Sequence, residues 1–180
     1  TQRNYAWRDY GNRVGIWRLL RLFDDLKLPA AHNANSMLYH YHPEIFEPIR
    51  RRQDEIVGHG RTNSELVAGK WEHDEAQIIR EATEAIAAHE GRPPQGWLNG
   101  SGPQTGATMD LLAEAGYTYM MDWPCDDQPG PQRTHGEAVR LLRLGEPEQD
   151  AREARVEAAG GAVLEHAAVG TRHVVAAIAD

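Results

Sequence analysis

An α/β fold, with parallel strands and helices packed outside them, is the class this sequence predicts. Three observations predict it. Strand-like apolar runs alternate with amphipathic helical runs over residues 14–123, the connections between them are short, and polar residues or glycines close each strand. Folds of this kind gather ligands at the carboxyl ends of their strands.

The elements follow in order. Residues 14–26, VGIWRLLRLFDDL, predict a helix in which Val14, Trp17, Leu20, Leu22 and Phe23 roughly hold one buried stripe. LPAAHNANS, 28–36, predicts a strand introduced by Pro29. Pro43 suits the first turn of a helix over 43–52 that ends in Arg50, Arg51 and Arg52. DEIVGHG, 54–60, is the next strand. Over 73–90, Ile78, Ile79, Ala82, Ala85 and Ile86 form a helical stripe; Asp74 and Glu75 favour its first turn, and Gly91 with Pro93 and Pro94 stop it. GWLN, 96–99, predicts a short strand, TGATMDLLAEAG, 105–116, a helix, and YTYMMDW, 117–123, a further strand. Four strand ends then carry polar or aromatic groups that should converge on one rim: Asn33 and Asn35; His59; Trp97 and Asn99; Asp122 and Trp123.

Beyond residue 134 the text changes. All thirteen aromatic residues lie at or before Trp123, and the last thirty residues are rich in alanine. EPEQDAREARVEAAGG, 146–161, could be a solvated helix, whereas RHVVAAIA, 172–179, fits a strand or a helix. The expected organisation is one α/β domain over 1–134 and a divergent Ala-rich tail over 135–180.

Composition narrows the function. A net charge of −8 argues against non-specific nucleic-acid binding. No apolar run reaches the ~18 residues that a membrane helix needs. The N-terminal stretch has no signal-peptide core, so a cytoplasmic protein is expected, although the chain starts without a methionine. A single cysteine, Cys125, leaves no internal disulfide and no Cys-rich metal site. It reads as a structural thiol.

His59 stands between Gly58 and Gly60, which allow a sharp turn and a close ligand approach. Its imidazole could bind a metal or transfer a proton near neutral pH. Capping of the strand end is the competing account. The position where a second zinc histidine would stand holds Asn63, a poor zinc ligand that fits either substrate contact or an Asx turn with Glu65. Arg61 could clamp a substrate oxygen or form a surface salt bridge. Trp97 could stack on a flat ligand or pack in the core. Asp122 belongs at the rim, because its strand turns polar there. His40 and His42 are two apart, which is not one helical face.

From about Tyr10 to Pro129 the chain resembles the polysaccharide deacetylase family, carbohydrate esterase family 4. It looks most like the branch that holds the metal-independent allantoinases and related cyclic-amide hydrolases. The stretches that carry the likeness are YGNRVGIWRLL, DEIVGHGRTNSE, PPQGWLNGSGPQT, LLAEAGYTYMMDW and DDQP, in this order. The resemblance implies a partial distorted (β/α) barrel with parallel strands that hydrolyses a non-peptide carbon–nitrogen bond. In the deacetylases a metal held by one Asp and two His polarises an N-acetyl carbonyl, a second Asp is the base and a late His is the acid. His59 falls on the first metal histidine and Asn63 on the second. Trp97 falls where deacetylases place an arginine and the allantoinase-like members an aromatic. Asp122-Trp123 and Asp126-Asp127 match the strand-end Asp and Asp-Asp positions of that branch.

Three departures stand beside it. The Asp-Asp pair of the family's first strand has no counterpart upstream of the YGNRVG helix. Asp24 and Asp25 imitate it from the polar side of a helix. His135, His166 and His173 have no family context and read as surface residues. The text after DDQP loses the family's aromatic, proline-rich character, which suggests a truncated or frame-altered product; the other reading frames of the coding DNA would test this. A barrel without its first strand should also leave an open edge that favours a homo-oligomer.

The expected function is therefore a hydrolase of a small cyclic amide, a ureide or an N-acetyl group, in carbohydrate or cyclic-amide metabolism. His59 and Asp122 would be catalytic, with Asn35, Arg61, Asn63, Trp97 and Trp123 binding the small-molecule or saccharide substrate. Backbone N–H groups near Gly60 or Gly100 would hold the oxyanion. No cofactor is expected, or a weakly bound divalent metal such as zinc at His59. The rivals are a metal-dependent polysaccharide deacetylase and an inactive fragment or binding domain.

Overall fold

The computed structural model describes residues 2–99, 104–122, 130, 131, 134, 140, 141 and 174–178. The chain opens with α1 (Gln2–Tyr10), a π-helical turn (Gly11–Gly15) and α2 (Ile16–Asp25). The helical run thus begins earlier than the apolar spacing predicted. Its buried stripe is Ile16, Leu20 and Phe23, at i, i+4 and i+7, while Leu22, 36% exposed, falls off that face.

The sheet is built from β1 (Ala30–Ala34), β2 (Glu55–Gly58), β3 (Gly96–Trp97) and β4 (Tyr119–Met120), all parallel and paired in that order. Between them run α3 (Leu38–Tyr41), a 3-10 turn (Pro43–Ile45), α4 (Phe46–Arg52), α5 (Glu72–Glu90) and α6 (Thr108–Glu114). Alternation along the strands separates two faces. Ala34 and Ile56 point outward, into a cluster with Ile16, Leu20, Leu38, Ile49 and Ile86 from the helices. Trp97 and Met120 also point outward, against Ile79, Ala82, Leu111, Leu112 and Tyr117. Ala31, Val57 and Met121 form the inner face with Leu98 and Tyr119. The α5 stripe is buried as its spacing predicts, and Gly91, at φ 74°, closes that helix in a left-handed turn that a side chain would strain.

The amino-terminal end of the sheet is fastened by a carboxylate. Asp54 accepts hydrogen bonds from the Ala30 N–H at 3.2 Å and from Arg52 Nε at 2.6 Å, and lies 2.9 Å from His32 Nε2. Arg52 also pairs with Asp24, so this aspartate lies at the amino-terminal end of the sheet.

Three short strands extend the sheet: β5 (Gly130–Pro131), β6 (Arg140–Leu141) and β7 (Val174–Ile178), giving the order β5-β6-β4-β3-β2-β1-β7. β7 runs parallel to β1 from Ala30 opposite Val174 to Ala34 opposite Ile178. This corrects the expected open edge: a strand from the chain's own last residues covers β1. It also settles 172–179 in favour of a strand over 174–178. Residues 146–161, read as a helix from sequence, lie outside the described residues. No helix among the described residues is long and apolar enough to cross a membrane.

Candidate functional site

The site grows from the junction of β1 and β2. Their pairing continues past the strand ends: the His59 N–H donates to Ala34 O at 3.2 Å, the Ser36 N–H to Gly60 O at 2.9 Å and the Met37 N–H to Arg61 O at 3.2 Å. Asn35 Nδ2 adds a side-chain bond to the His59 carbonyl at 2.6 Å. The glycines on either side of His59 have different causes. A Cβ on Gly58 would lie 2.8 Å from the Trp97 ring and 2.9 Å from the Tyr117 hydroxyl, so the core leaves no room for one. Gly60 has open space but a φ of +76°, where a side chain is strained.

His59 is 7% exposed, and its Nδ1 donates to the Leu98 carbonyl at 2.7 Å. A carbonyl only accepts, so Nδ1 carries the proton and Nε2 keeps its lone pair. Burial holds the imidazole below its ordinary pKa, against the opposing pull of the Leu98 bond, so the ring is neutral at pH 7.

The residue after Leu98, just beyond the end of β3, continues the chain of contacts. The Asn99 N–H donates to Asp122 Oδ1 at 2.7 Å, and Gln104 Nε2 donates to Oδ2 at 2.6 Å. Burial raises the Asp122 carboxyl to a pKa of about 6 despite both donors. Asn35, His59 and Asp122 are thus joined through Leu98 and Asn99 across the tips of β1, β2, β3 and β4. Of the residues expected on the rim, Asn35, His59, Asn99 and Asp122 lie in this network.

Trp97 does not reach it. It is 1% exposed, faces the helices and meets the Tyr117 ring edge-on, with centroids 5.3 Å apart. It is a core residue, and the ligand-stacking role is withdrawn. Arg61 is occupied as well: it donates to Glu65, with one bond of 2.7 Å, and pairs with Glu81. That salt bridge takes the guanidinium assigned to substrate. Asn63 Oδ1 is buried without a hydrogen-bond partner among the described residues, while the turn around it is closed by the Glu65 N–H on Thr62 O at 3.4 Å. The Asx turn is therefore not made by its side chain. Trp123, Gly100, Cys125, Asp126, Asp127, His135, His166 and His173 lie outside the described residues. His40 packs edge-on to the Tyr41 ring, and His42 sits 3.3 Å from Glu44 at the surface.

A metal fits the described residues poorly. No three His, Cys, Asp or Glu side chains among them cluster as a metal site. Of the donors at the rim, His59 offers one nitrogen, and both Asp122 oxygens already accept hydrogen bonds.

Sequence reasoning missed two side chains here. Gln104, which holds Asp122, carries no local signal. Glu75 is fully buried and accepts from Thr105 Oγ1 at 2.6 Å and from Thr108, tying α5 to the start of α6. Its position three and four residues before Ile78 and Ile79 marks the buried stripe and could have revealed it. A separate cavity of about 270 Å³ opens at the other end of the sheet, between Ile49, Asp54, Glu55 and Gln95. Its Arg50 is bonded to Glu90 at 2.9 and 3.0 Å, and it brings no rim group with it.

No family model matches the chain, and no curated protein does. Solved structures match it closely in three dimensions. A Mycobacterium smegmatis protein assigned as a polysaccharide deacetylase shares 29% identity at a TM-score of 0.70, over 75% of this chain and 47% of its own. The PuuE allantoinase shares 27% identity at a TM-score of 0.68, over 75% and 45% respectively. A Pseudomonas aeruginosa PAO1 protein, likewise assigned as a polysaccharide deacetylase, shares the fold at 22% identity and a TM-score of 0.68, over 95% and 61%. The chain spans about half the length of the first two structures. The likeness read from its motifs therefore holds in space: this chain folds as a partial α/β barrel similar to those of the polysaccharide deacetylases and of the PuuE allantoinase.

Proposed function

We propose that the chain carries the His59–Asp122 half of a hydrolase acting on a non-peptide carbon–nitrogen bond, in a small cyclic amide, a ureide or an N-acetyl group. One observation supports this reading above the rest. Two titratable groups on one rim are pushed in opposite senses, a histidine toward its neutral form and a carboxyl toward its protonated form. That is the division needed for a base and an acid working near neutral pH.

The step follows from the two groups. A water oxygen attacks the amide carbonyl carbon while His59 Nε2 takes its proton. The carbon–nitrogen bond then breaks, and the departing nitrogen receives a proton from Asp122. A carboxylic acid and an amine result, joined in one molecule if the amide was cyclic. Both side chains reset by exchange with solvent.

Screening hydantoin-type cyclic amides, linear ureides and N-acetylglucosamine oligomers, with and without chelator, tests the proposal. Chelator-insensitive ring opening that disappears in His59→Ala is the expected result. Acetate release that chelator abolishes and zinc restores would favour the deacetylase reading instead. Absence of turnover on every substrate would leave the binding-domain reading. That reading has its own support: Asp24, the sequence's imitation of the family's catalytic pair, is bound to Arg52 away from the rim.

A further inference from the structure

We propose that Gln104 is a positioning residue whose amide turns over with the proton of Asp122, and so fixes which carboxyl oxygen delivers that proton. The inference deepens the reading of Asp122 as the acid of the site and rests on it. As found, Asp122 accepts on both oxygens, from the Asn99 N–H on Oδ1 at 2.7 Å and from Gln104 Nε2 on Oδ2 at 2.6 Å. That is the pattern of an ionised carboxylate. In this state Gln104 Oε1 is buried and has no partner among the described residues. An orphaned buried carbonyl oxygen is unfavourable, and native structures keep few of them.

In the other protonation state Oε1 gains a partner, while Nε2 takes the place that Oε1 leaves. A proton on Asp122 makes that oxygen a donor, and Gln104 then meets it with Oε1 by rotating its amide half a turn. The Asn99 N–H belongs to the backbone and cannot exchange roles, so Oδ1 remains an acceptor throughout. The proton is therefore confined to Oδ2. Other titratable groups near this corner are spoken for: His59 on the β2 tip is anchored on Leu98 O, Glu75 on α5 accepts from Thr105 and Thr108, and Tyr119 on β4 gives its hydroxyl to Glu55 at 2.7 Å. Among the described residues, Gln104 is left as the side chain that responds to the Asp122 proton.

Nuclear magnetic resonance of the full, isotope-labelled chain tests this without any need for turnover. Between pH 4 and 8 the Gln104 side-chain carbonyl and amide signals should move with the same midpoint as the Asp122 carboxyl carbon. In Gln104→Met the Asp122 midpoint should rise by about one unit, because a charge-assisted bond is lost along with a weaker neutral one. Unmoved Trp97 and Tyr117 ring signals would certify the fold. Gln104 signals that stay flat through the Asp122 titration, or a midpoint unchanged in the variant, would overturn the proposal. If the variant does not fold, the wild-type titration alone decides. Failure to detect hydrolysis would count against the catalytic reading and leave the Gln104 result standing.

Discussion

Replacing Asp122 by asparagine separates a buried acid from a paired carboxylate. The folded chain raises this carboxyl from an ordinary 3.8 to about 6, so it binds its proton more tightly folded than unfolded. The sign follows: the contribution is fully present below about pH 4 and is lost as pH climbs through 6. Two units at ~1.4 kcal/mol each set a ceiling of about 3 kcal/mol. Solvent at the partly exposed rim reduces this to roughly 1–2 kcal/mol. Asparagine keeps the shape of the protonated acid and has no charge to lose. It still accepts the Asn99 N–H, and its NH₂ suits a rotated Gln104. Urea unfolding of both proteins at pH 4.5, 5.5, 6.5 and 7.5, followed by tryptophan fluorescence, reads the difference. His59 titrates in both chains and drops out of the comparison. Asp122→Asn should lie closest to wild type at pH 4.5 and exceed it increasingly up to pH 6.5. A variant less stable than wild type at pH 7.5 would refute the reasoning, since it would mean that the ionised form is what the fold favours.

Further outcomes follow from single contacts. His59→Ala should abolish any hydrolysis, and by stranding the Leu98 carbonyl it should cost about 1–3 kcal/mol in urea. His59 itself is depressed by burial, so wild-type stability from this group is present above about pH 6.5 and falls as pH drops through that value, a trend Asp122→Asn should expose; a flat acid limb in that variant would contradict the burial. Gly60→Ala should lose roughly 1–2 kcal/mol from its positive φ alone. In β7, Val175→Pro and Ala176→Pro should behave oppositely, because adjacent residues of an edge strand point their N–H groups to opposite sides. Hydrogen exchange of the β1 amides should quicken in one variant only, and equal behaviour would remove β7 from the β1 edge.

Much of this architecture was readable because local punctuation and period agree with the fold. The α5 stripe and the order of β1 to β4 come from spacing that one buried face imposes. The start of the first helix was hidden because Tyr5, Trp7 and Tyr10 are exposed and leave no stripe to read. Strand lengths were overestimated, since ladder pairing between β3 and β4 spans two residues and depends on partners rather than on composition. Trp97 was misplaced for a related reason. In so short a strand a one-residue slip exchanges the faces, and Leu98, not Trp97, points inward. Arg61 shows the limit of distance along the chain. Its partner Glu65 lies four residues on and was visible, whereas Glu81 comes from α5 and was not. The raised Asp122 pKa and the hold of Gln104 arise from tertiary burial, for which single positions carry no mark.

The misplaced tryptophan still governs the site, from behind. Gly58 pairs with Trp97 across β2 and β3, and the indole fills the space a Cβ would need. The glycine before His59 is thus a consequence of the core, and the indole sets how closely β2 lies beside the Leu98 carbonyl that orients the imidazole. This makes the two positions energetically dependent. Gly58→Ala alone should cost about 1–3 kcal/mol by overpacking. Trp97→Leu alone should cost roughly 2–4 kcal/mol, near the range for removing a buried aromatic. Together they should cost about 1 kcal/mol or more less than their sum, because leucine vacates the space that alanine needs. The relief stays partial, since the Tyr117 hydroxyl also stands 2.9 Å from the added Cβ. Urea unfolding of the four proteins closes the cycle. Strict additivity would show that the indole does not dictate the glycine, and the first Gly of the Gly-His-Gly turn would then need a cause on the ligand side of the sheet.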